Sequence, residues 1–314
     1  MKIVFLDTKT MGNVPNLNIL DSLGEVTYYP TSFPQEIVTR LNNADIVITC
    51  KTIIDKHVID KIPSLKLICV AATGLNNIDW EYARQKGIEV KNVAEYSTGS
   101  VAQAAFSMIL ALLNHIEYYD DYVKSGSYAL NDMFTHMGRT IVELNRKEFG
   151  IIGMGAIGKR VAQIAKAFGC NISYFSSSGR NDNQEYKRVE LDQLLSKSDV
   201  ISIHAPLTDS TRNLITYEKI KLMKPSAIII NTGRGGIIDE AGLANALDED
   251  LIAGAGLDVF SKEPIENNNP LLHIKNKEKI IFSPHSAWTS IEARGLLIEK
   301  IADNIREFIK GYKN

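Results

Sequence analysis

The chain has 314 residues, 45% of them hydrophobic and 23% charged, with a net charge of −2. That length accommodates two domains of ordinary size, and the composition is that of a globular chain. The near-balanced charge excludes the basic field of a nucleic-acid binder and the polybasic patch of a membrane-surface protein. Cys50, Cys69 and Cys170 are odd in number, far apart and set in apolar runs. They have no zinc-like or redox spacing, so they read as reduced core thiols in a cytoplasmic protein, with no metal site expected. The N-terminal run, residues 1–7, is too short for a signal peptide and reads as a first strand. The apolar stretch 101–113 falls short of a membrane span and carries Gln103. There is no internal repeat.

The first hundred residues alternate strand and helix: strands at 3–6, 25–29, 45–49, 67–71 and 88–91, helices at 17–23, 35–41, 55–60 and 80–85. Short all-apolar strands separated by helices imply a parallel sheet covered on both faces. In such sheets ligands collect beyond the carboxyl ends of the strands. Two strand ends there stand out, Cys50-Lys51-Thr52 and the small-residue turn Thr73-Gly74-Leu75, whose backbone N–H groups could face an anion or simply turn the chain. At residues 96–100 the composition becomes small and polar, marking a boundary, and one long helix is expected from 101 towards 124. Residues 125–146 read as irregular.

The most informative stretch is 149–178. An apolar strand runs into Gly153-Met154-Gly155-Ala156-Ile157-Gly158, then a helical pattern closed by Gly169, then a second strand at 172–175. In a strand–turn–helix–strand context this G-x-G-x-x-G is a dinucleotide site. Gly153 permits the tight turn, Gly155 lets backbone approach a pyrophosphate, and Gly158 lets the helix close on the sheet. The helix N-terminus offers free N–H groups to the phosphates. About 20 positions on, an NAD site normally carries an acid for the ribose 2′-OH. Here Ser176 occupies that register, followed by Ser177 and Arg180. Hydroxyls and a guanidinium accept a 2′-phosphate, which a carboxylate would repel, so the turn favours NADP(H) over NAD(H). As an ordinary polar turn it would be compatible with NAD.

Beyond it, helices are expected at 189–196, 217–223 and 240–249, strands at 199–204, 227–231, 253–258 and 280–282. A last helix over 290–310 crosses back to the first domain. The domains are therefore 1–98 with 288–314, and 99–287. Three strand ends carry reactive groups: Arg234 among glycines, Asp258 and Glu263 after the next strand, and His285 after the last. Singly each has a dull explanation, as surface charge, solvated loop acid or capping side chain. Together on the cofactor's side of one sheet they can bind a carboxylate, tune a base and move a proton.

These motifs resemble the D-isomer-specific 2-hydroxyacid dehydrogenases over nearly the whole chain. The likeness rests on the glycine loop, on His204-Ala205-Pro206-Leu207-Thr208, and on Asn231-Thr232-Gly233-Arg234-Gly235-Gly236. It rests also on Gly256-Leu257-Asp258-Val259-Phe260 with Glu263-Pro264, and on Ser283-Pro284-His285. Residues 71–79, 96–103 and 284–288 look most like the glycerate dehydrogenase/hydroxypyruvate reductase branch. The resemblance implies two doubly wound α/β domains, a flavodoxin-like substrate domain and a Rossmann dinucleotide-binding domain, with the active site in a cleft that closes between them. It implies His285 as acid and base, Glu263 as the group fixing its tautomer and keeping the imidazolium, and Arg234 as the grip on a 2-oxo acid's carboxylate. Thr73, Gly74 and Leu75 would bind that carboxylate through backbone N–H groups, and Lys51 is a further basic residue at the substrate.

For the cofactor, the resemblance places Ala156 and Ile157 at the pyrophosphate and Ser176, Ser177 and Arg180 at the adenosine ribose. His204, Ala205 and Pro206 fall on the adenine side, and Thr232, Gly233 and Asp258 on the nicotinamide side. Arg146 stands where relatives usually have glycine. The expected activity is reduction of a small 2-oxo acid of hydroxypyruvate or glyoxylate type by a homodimer. A corepressor-like dinucleotide sensor is the alternative, one that would also retain Arg234, Glu263 and His285.

Overall fold

In the computed structural model, residues 1–181, 183 and 185–312 are described. Residues 313 and 314, the end of the segment expected to return to the first domain, lie outside them. The chain divides into two compact units, Met1–Ser97 with Trp288–Asn314, and Thr98–Ala287.

The first unit holds five parallel strands: β1 (Lys2–Phe5), β2 (Glu25–Tyr28), β3 (Ile46–Thr49), β4 (Leu67–Val70) and β5 (Glu89–Lys91). Their spatial order is β2-β1-β3-β4-β5. This is the flavodoxin-like winding. All four residues of β3 and of β4 are buried, which is why both read as unbroken apolar runs. Alternate residues serve opposite faces. Val4, Val47 and Ile68 meet a cluster with Ile37, Val58 and Ala83, from helices α1 (Pro34–Arg40), α2 (Lys56–Lys61) and α3 (Trp80–Gln85). Ile3, Phe5, Ile48 and Cys69 meet Leu297, Ile298, Ile301 and Ile305 of the C-terminal helix, Ile291–Tyr312. Each such aliphatic side chain withdrawn from water contributes about 1.5–3 kcal/mol, so the late helix completes the unit that the chain begins. Asp55 and Asp79 cap α2 and α3, accepting from the N–H groups of Val58 and Tyr82. The expected helix over 17–23 is instead a 3-10 helix, Leu17–Leu23, with one buried side chain, Leu20.

The second unit begins with α4 (Thr98–Asn114) and α5 (Ile116–Lys124), then β6 (Glu148–Ile152), α6 (Ala156–Ala167), β7 (Asn171–Phe175) and β8 (Lys187–Arg188). There follow α7 (Leu191–Lys197), β9 (Val200–Ile203), α8 (Tyr217–Ile220), β10 (Ile228–Asn231), α9 (Glu240–Asp248), β11 (Gly254–Leu257) and β12 (Ile280–Phe282). Its seven parallel strands lie in the order β12-β11-β10-β9-β6-β7-β8. The order reverses around β6, the switch point at which a Rossmann sheet opens a crevice. One face is covered by α4 and α6, through Ile109, Leu112, Val161 and Ala165. The other is covered by α7, α8 and α9, through Leu194, Leu195, Ile220, Leu243 and Leu247.

Two features of the second unit also differ from the sequence expectation. The single helix from 101 towards 124 is two, bent by 60°. The break is His115, whose backbone lies in the left-handed region at φ 48° and cannot continue a right-handed helix. The division follows burial: α4 contributes eight buried side chains and α5 none. Strand β8 was not expected, being only two exposed residues paired beside β7. Arg146, in the glycine position of its turn, takes the conformation glycine would, at φ 63°. Its N–H donates to the Gly169 carbonyl at 2.9 Å. Among the described residues no single helix is long and apolar enough to cross a membrane; α4 and α5 pass that test only as a bent pair.

Candidate functional site

Strand register in the second unit brings the singled-out residues into one row. Phe282 pairs with Leu257, Leu257 with Asn231, Asn231 with Ile203, Ile203 with Ile152, and Ile152 with Phe175. Because every strand is parallel, the next residue of each lies on the same carboxyl edge. That edge reads Ser283, Asp258, Thr232, His204, Gly153, Ser176 across six strands. No local signal encodes this row; it follows from all six strands stopping at the same level.

At the centre of the edge, the glycine loop has the shape its spacing implies. Gly153 sits at φ 95°, and a Cβ there would lie 2.8 Å from the Ala205 nitrogen and 2.9 Å from the His204 carbonyl. A Cβ at Gly158 would collide with the carbonyl oxygen of Gly153. A Cβ at Gly155 would meet nothing within 4 Å. Two of the glycines are thus required by packing and the middle one by nothing in the protein, leaving a cradle at the N-terminus of α6. The first-turn N–H groups of Ala156 and Ile157 border it, and a helix of 12 residues stands behind them. These residues fit a dinucleotide pyrophosphate.

Beyond β7, Ser176 is buried and its hydroxyl accepts from the Asn181 N–H at 3.3 Å. Ser177 is half-buried and Arg180 exposed. His204 lies between β9 and β10, with Nε2 2.9 Å from the Ser202 hydroxyl and Nδ1 3.3 Å from that of Thr232. Desolvation pushes its imidazole down to about 3, so it is neutral at physiological pH. Ala205 is buried and Pro206 exposed, opening the loop whose hydrogen bonds run through Thr208 and Thr211.

The Arg234 turn is built by Asn231, a buried amide at the end of β10. Its Oδ1 accepts from the Gly233 N–H at 3.0 Å and its Nδ2 donates to the Arg234 carbonyl at 2.9 Å. The Arg234 guanidinium is half-buried and donates to the Gly233 carbonyl at 2.7 Å. Only one of its five donors is used there, so most of the fork remains for a ligand. Gly235 packs directly on the carbonyl of Phe260, where a Cβ would collide.

Glu263 and His285 meet. Glu263 Oε1 accepts from the Phe260 N–H at 3.1 Å, and Oε2 lies 2.7 Å from His285 Nδ1. An ionised carboxylate only accepts, so Nδ1 carries the hydrogen and Nε2 is the nitrogen left for another partner. The imidazole is held in an uncommon backbone state, at φ 52°. Asp258 supports that state. Its Oδ1 accepts from the Ser283 hydroxyl at 2.5 Å and the N–H groups of Ser286 at 2.8 Å and Ala287 at 3.1 Å. Its Oδ2 accepts from Ala287 again, and its backbone carbonyl accepts from the His285 N–H at 2.8 Å. Burial pushes the Asp258 carboxyl above the ordinary range, although these donors pull it back. Asp258 therefore holds the turn that presents His285.

The first unit keeps its own strand-end features. The N–H groups of Thr73, Gly74 and Leu75, just beyond β4, have no hydrogen-bond partner among the described residues. The turn is pinned by the Thr73 hydroxyl on the Val93 carbonyl and by Asn92 Nδ2 on the Thr73 carbonyl at 2.6 Å. The loop bearing Lys51 is organised by Asp7, which the sequence marks only as the end of a strand. Its buried carboxylate accepts from the N–H groups of Cys50, Lys51 and Thr52 at 2.7–2.9 Å. Asp7 and Asn231 share a recognisable signal, a polar residue closing an otherwise apolar strand. Among the described residues no group of three or more His, Cys, Asp or Glu could hold a metal ion.

Comparison with known proteins agrees with this geometry. The family model for the D-isomer specific 2-hydroxyacid dehydrogenase NAD-binding domain matches residues 106–287. A hydroxypyruvate reductase of Blautia hydrogenotrophica is 39% identical over 99% of the chain and 98% of its own length. A glycerate dehydrogenase of Methylorubrum extorquens is 37% identical over 99% and 96%. Among solved structures, an acyclic imino acid reductase in complex with NADPH and D-Arg superposes with a TM-score of 0.89. It is 30% identical and covered over 98%, against 99% of this chain.

Proposed function

We propose that this chain, which belongs to the D-isomer-specific 2-hydroxyacid dehydrogenase family, reduces a small 2-oxo acid of hydroxypyruvate or glyoxylate type to the D-2-hydroxy acid. It is a nicotinamide-dinucleotide-dependent oxidoreductase of CH–OH donors. The observation that carries the residue assignment is the 2.7 Å Glu263–His285 pair, in the turns that follow β11 and β12 at the carboxyl edge that also bears the glycine cradle.

A bound dinucleotide supplies the hydride. The protein's task is to hold the 2-oxo acid, exclude water and deliver one proton. The Arg234 fork binds the carboxylate and polarises the adjacent carbonyl. Thr73, Gly74 and Leu75 offer backbone N–H groups to the same carboxylate, and Lys51 offers a further positive charge. His285 Nε2 gives its proton to the carbonyl oxygen as the carbon is reduced and takes it back in the reverse direction. Glu263 accepts from Nδ1 and so fixes the ring's orientation and leaves Nε2 for the substrate. The sensor reading gains nothing from the relatives, which bear the names of enzymes.

The turn at Ser176, Ser177 and Arg180, with no carboxylate at the strand end, supports NADP(H) over NAD(H). A homodimer is supported by Leu130, Phe134 and Met137, which are 89%, 92% and 79% exposed in one short segment of the second unit. The α4 helix gives no such support, since its apolar residues are used in its own unit's core. The protein is expected to be cytoplasmic; purified, it is expected to be dimeric by light scattering, with Phe134→Asp lowering the mass by half.

Initial rates with NADPH and NADH against hydroxypyruvate, glyoxylate, pyruvate and phenylpyruvate test the reading, with His285→Ala as control. Turnover of the two small acids, faster with NADPH and lost in the control, is the expected result. Tight dinucleotide binding with no turnover above the control for any pair would overturn it.

A further inference from the structure

We propose that Arg188, the last residue of β8, is a second cationic contact for the 2′-phosphate of NADP(H), acting with Arg180 and the hydroxyls of the 176–178 turn. This rests on the NADP(H) preference proposed above. Arg188 lies eight positions beyond Arg180, outside any motif, and is returned to the turn only by strand pairing. Parallel β7 and β8 place Arg188 opposite Tyr174, two residues before Ser176. From there its Nη1 donates to the Gly179 carbonyl at 3.2 Å. Nη2 stands 3.9 Å from the point a Cβ of Gly179 would occupy. Gly179 lies in the left-handed region at φ 69°. Among the described residues, its chain neighbours aside, no other atom lies within 4 Å of that point, so the turn is open where the guanidinium reaches it.

The charges around the turn are arranged for an anion. Among the described residues neither Arg180 nor Arg188 makes an ion pair. The nearby Glu185 is taken by Lys166, at 2.9 Å. Anchoring to Gly179 occupies one of the five Arg188 donors and orients the rest. Ser178 Oγ accepts from the Arg180 N–H at 3.3 Å, drawing that residue into the same turn. A phosphate dianion has three strong acceptor oxygens, and a pair of guanidiniums with serine hydroxyls matches that number and charge. A ribose 2′-OH would use none of the positive charge. Arg188 therefore acts as a specificity residue, discriminating between the two dinucleotides.

Dissociation constants for NADPH, NADH, 2′,5′-ADP and 5′-AMP, measured calorimetrically on the intact protein, provide the test. Arg188→Ala is expected to weaken NADPH and 2′,5′-ADP by about ten- to a hundredfold, the worth of a charge-assisted hydrogen bond, and to leave NADH and 5′-AMP unchanged. Arg188→Lys, which keeps the charge but not the fork, is expected to restore part of the loss. Raising the salt concentration is expected to narrow the wild-type preference. Equal weakening of both dinucleotides would assign Arg188 to adenine packing or to the shape of the turn and overturn the proposal. No change in either would overturn it as well, leaving Arg188 a cap on the Gly179 carbonyl. If the wild-type protein binds 2′,5′-ADP no tighter than 5′-AMP, the NADP(H) preference itself fails, and this inference with it.

Discussion

Replacing Asp258 by alanine separates two roles for one carboxylate. The family resemblance assigns Asp258 to the nicotinamide side of the cofactor, whereas its oxygens are engaged by Ser283, Ser286 and Ala287. In Asp258→Ala the two backbone N–H groups lose their acceptor. Stranding a buried donor costs about 1–3 kcal/mol, so the pair costs about 2–6, against about 5–15 for unfolding a whole domain. The second unit is expected to stay folded while the 283–287 turn opens. His285 sits at φ 52°, a state that costs about 1–3 kcal/mol and persists only while its surroundings impose it. Once the turn opens, the imidazole relaxes away from Glu263.

General acid–base catalysis contributes about 10²–10⁴ to a rate, so kcat is expected to fall at least about a hundredfold with the dinucleotide dissociation constant unchanged. Asp258→Asn is the graded control. Its Oδ1 can keep the Ser283, Ser286 and Ala287 donors, while its amide replaces the acceptor that also lies 3.1 Å from the Ala287 nitrogen. Losing that one bond predicts about a tenfold fall. Steady-state kcat and KM, with dinucleotide binding followed by nicotinamide fluorescence, separate the two roles. An alanine variant with near-normal kcat, or one whose defect vanishes at saturating dinucleotide, would refute the reasoning.

Gly155→Ala puts a Cβ into the open cradle, where it meets nothing within 4 Å, so it is expected to leave Tm unchanged and weaken dinucleotide binding at least about tenfold. Gly158→Val forces a collision with Gly153 and is expected to lower Tm, as calorimetry would show. Glu263→Gln retains a hydrogen bond to His285 but removes the negative charge, predicting a kcat about ten- to a hundredfold lower with KM little changed in steady-state assays. His204 is held at about 3 in the folded protein, against 6.5 ordinarily. The unfolded chain thus binds the extra proton first, and stability falls as pH drops from about 6.5 towards 3, by about 1.4 kcal/mol per unit. His204→Gln is expected to lose about 2 kcal/mol less than wild type between pH 7 and pH 5 in urea unfolding. Equal losses would show that His204 is not buried neutral.

The elements most legible in the sequence were those whose apolar runs had one solution. Ile46–Thr49, Leu67–Val70 and Ile228–Asn231 are buried strands of parallel sheets because no amphipathic alternative fits them. The glycine loop was legible because its glycines answer to different demands: the structure shows steric ones at Gly153 and Gly158 and open space at Gly155. Less legible were features decided by tertiary contact. A helix bent at His115 carries no proline or glycine at the break, and only burial of α4 beside exposure of α5 explains it. Strand β8 has two exposed basic residues and no periodicity; it exists because β7 offers an edge.

The same distinction holds within the site. Arg234, Glu263 and His285 could be picked out because each is a reactive side chain at a strand end. The aiming role of their supports could not, because a carboxylate or amide buried against backbone N–H groups looks in sequence like any polar residue after a strand; Asp258 stands out there only as a reactive acid. Asp7, Asn231 and Asp258 each close a strand and each accept from the main chain of the turn that carries a functional group: Lys51, Arg234 and His285 respectively. Three turns on two separate sheets share one device. A buried acceptor at or just past a strand end fixes the backbone of a turn, its own strand's at Asn231 and the neighbouring strand's at Asp7 and Asp258, and leaves that turn's functional side chain to other partners. A search of parallel sheets for apolar strands closed by Asp or Asn would therefore find the supports of an active site before its chemistry, because satisfying buried N–H groups is a folding requirement that any such site must meet.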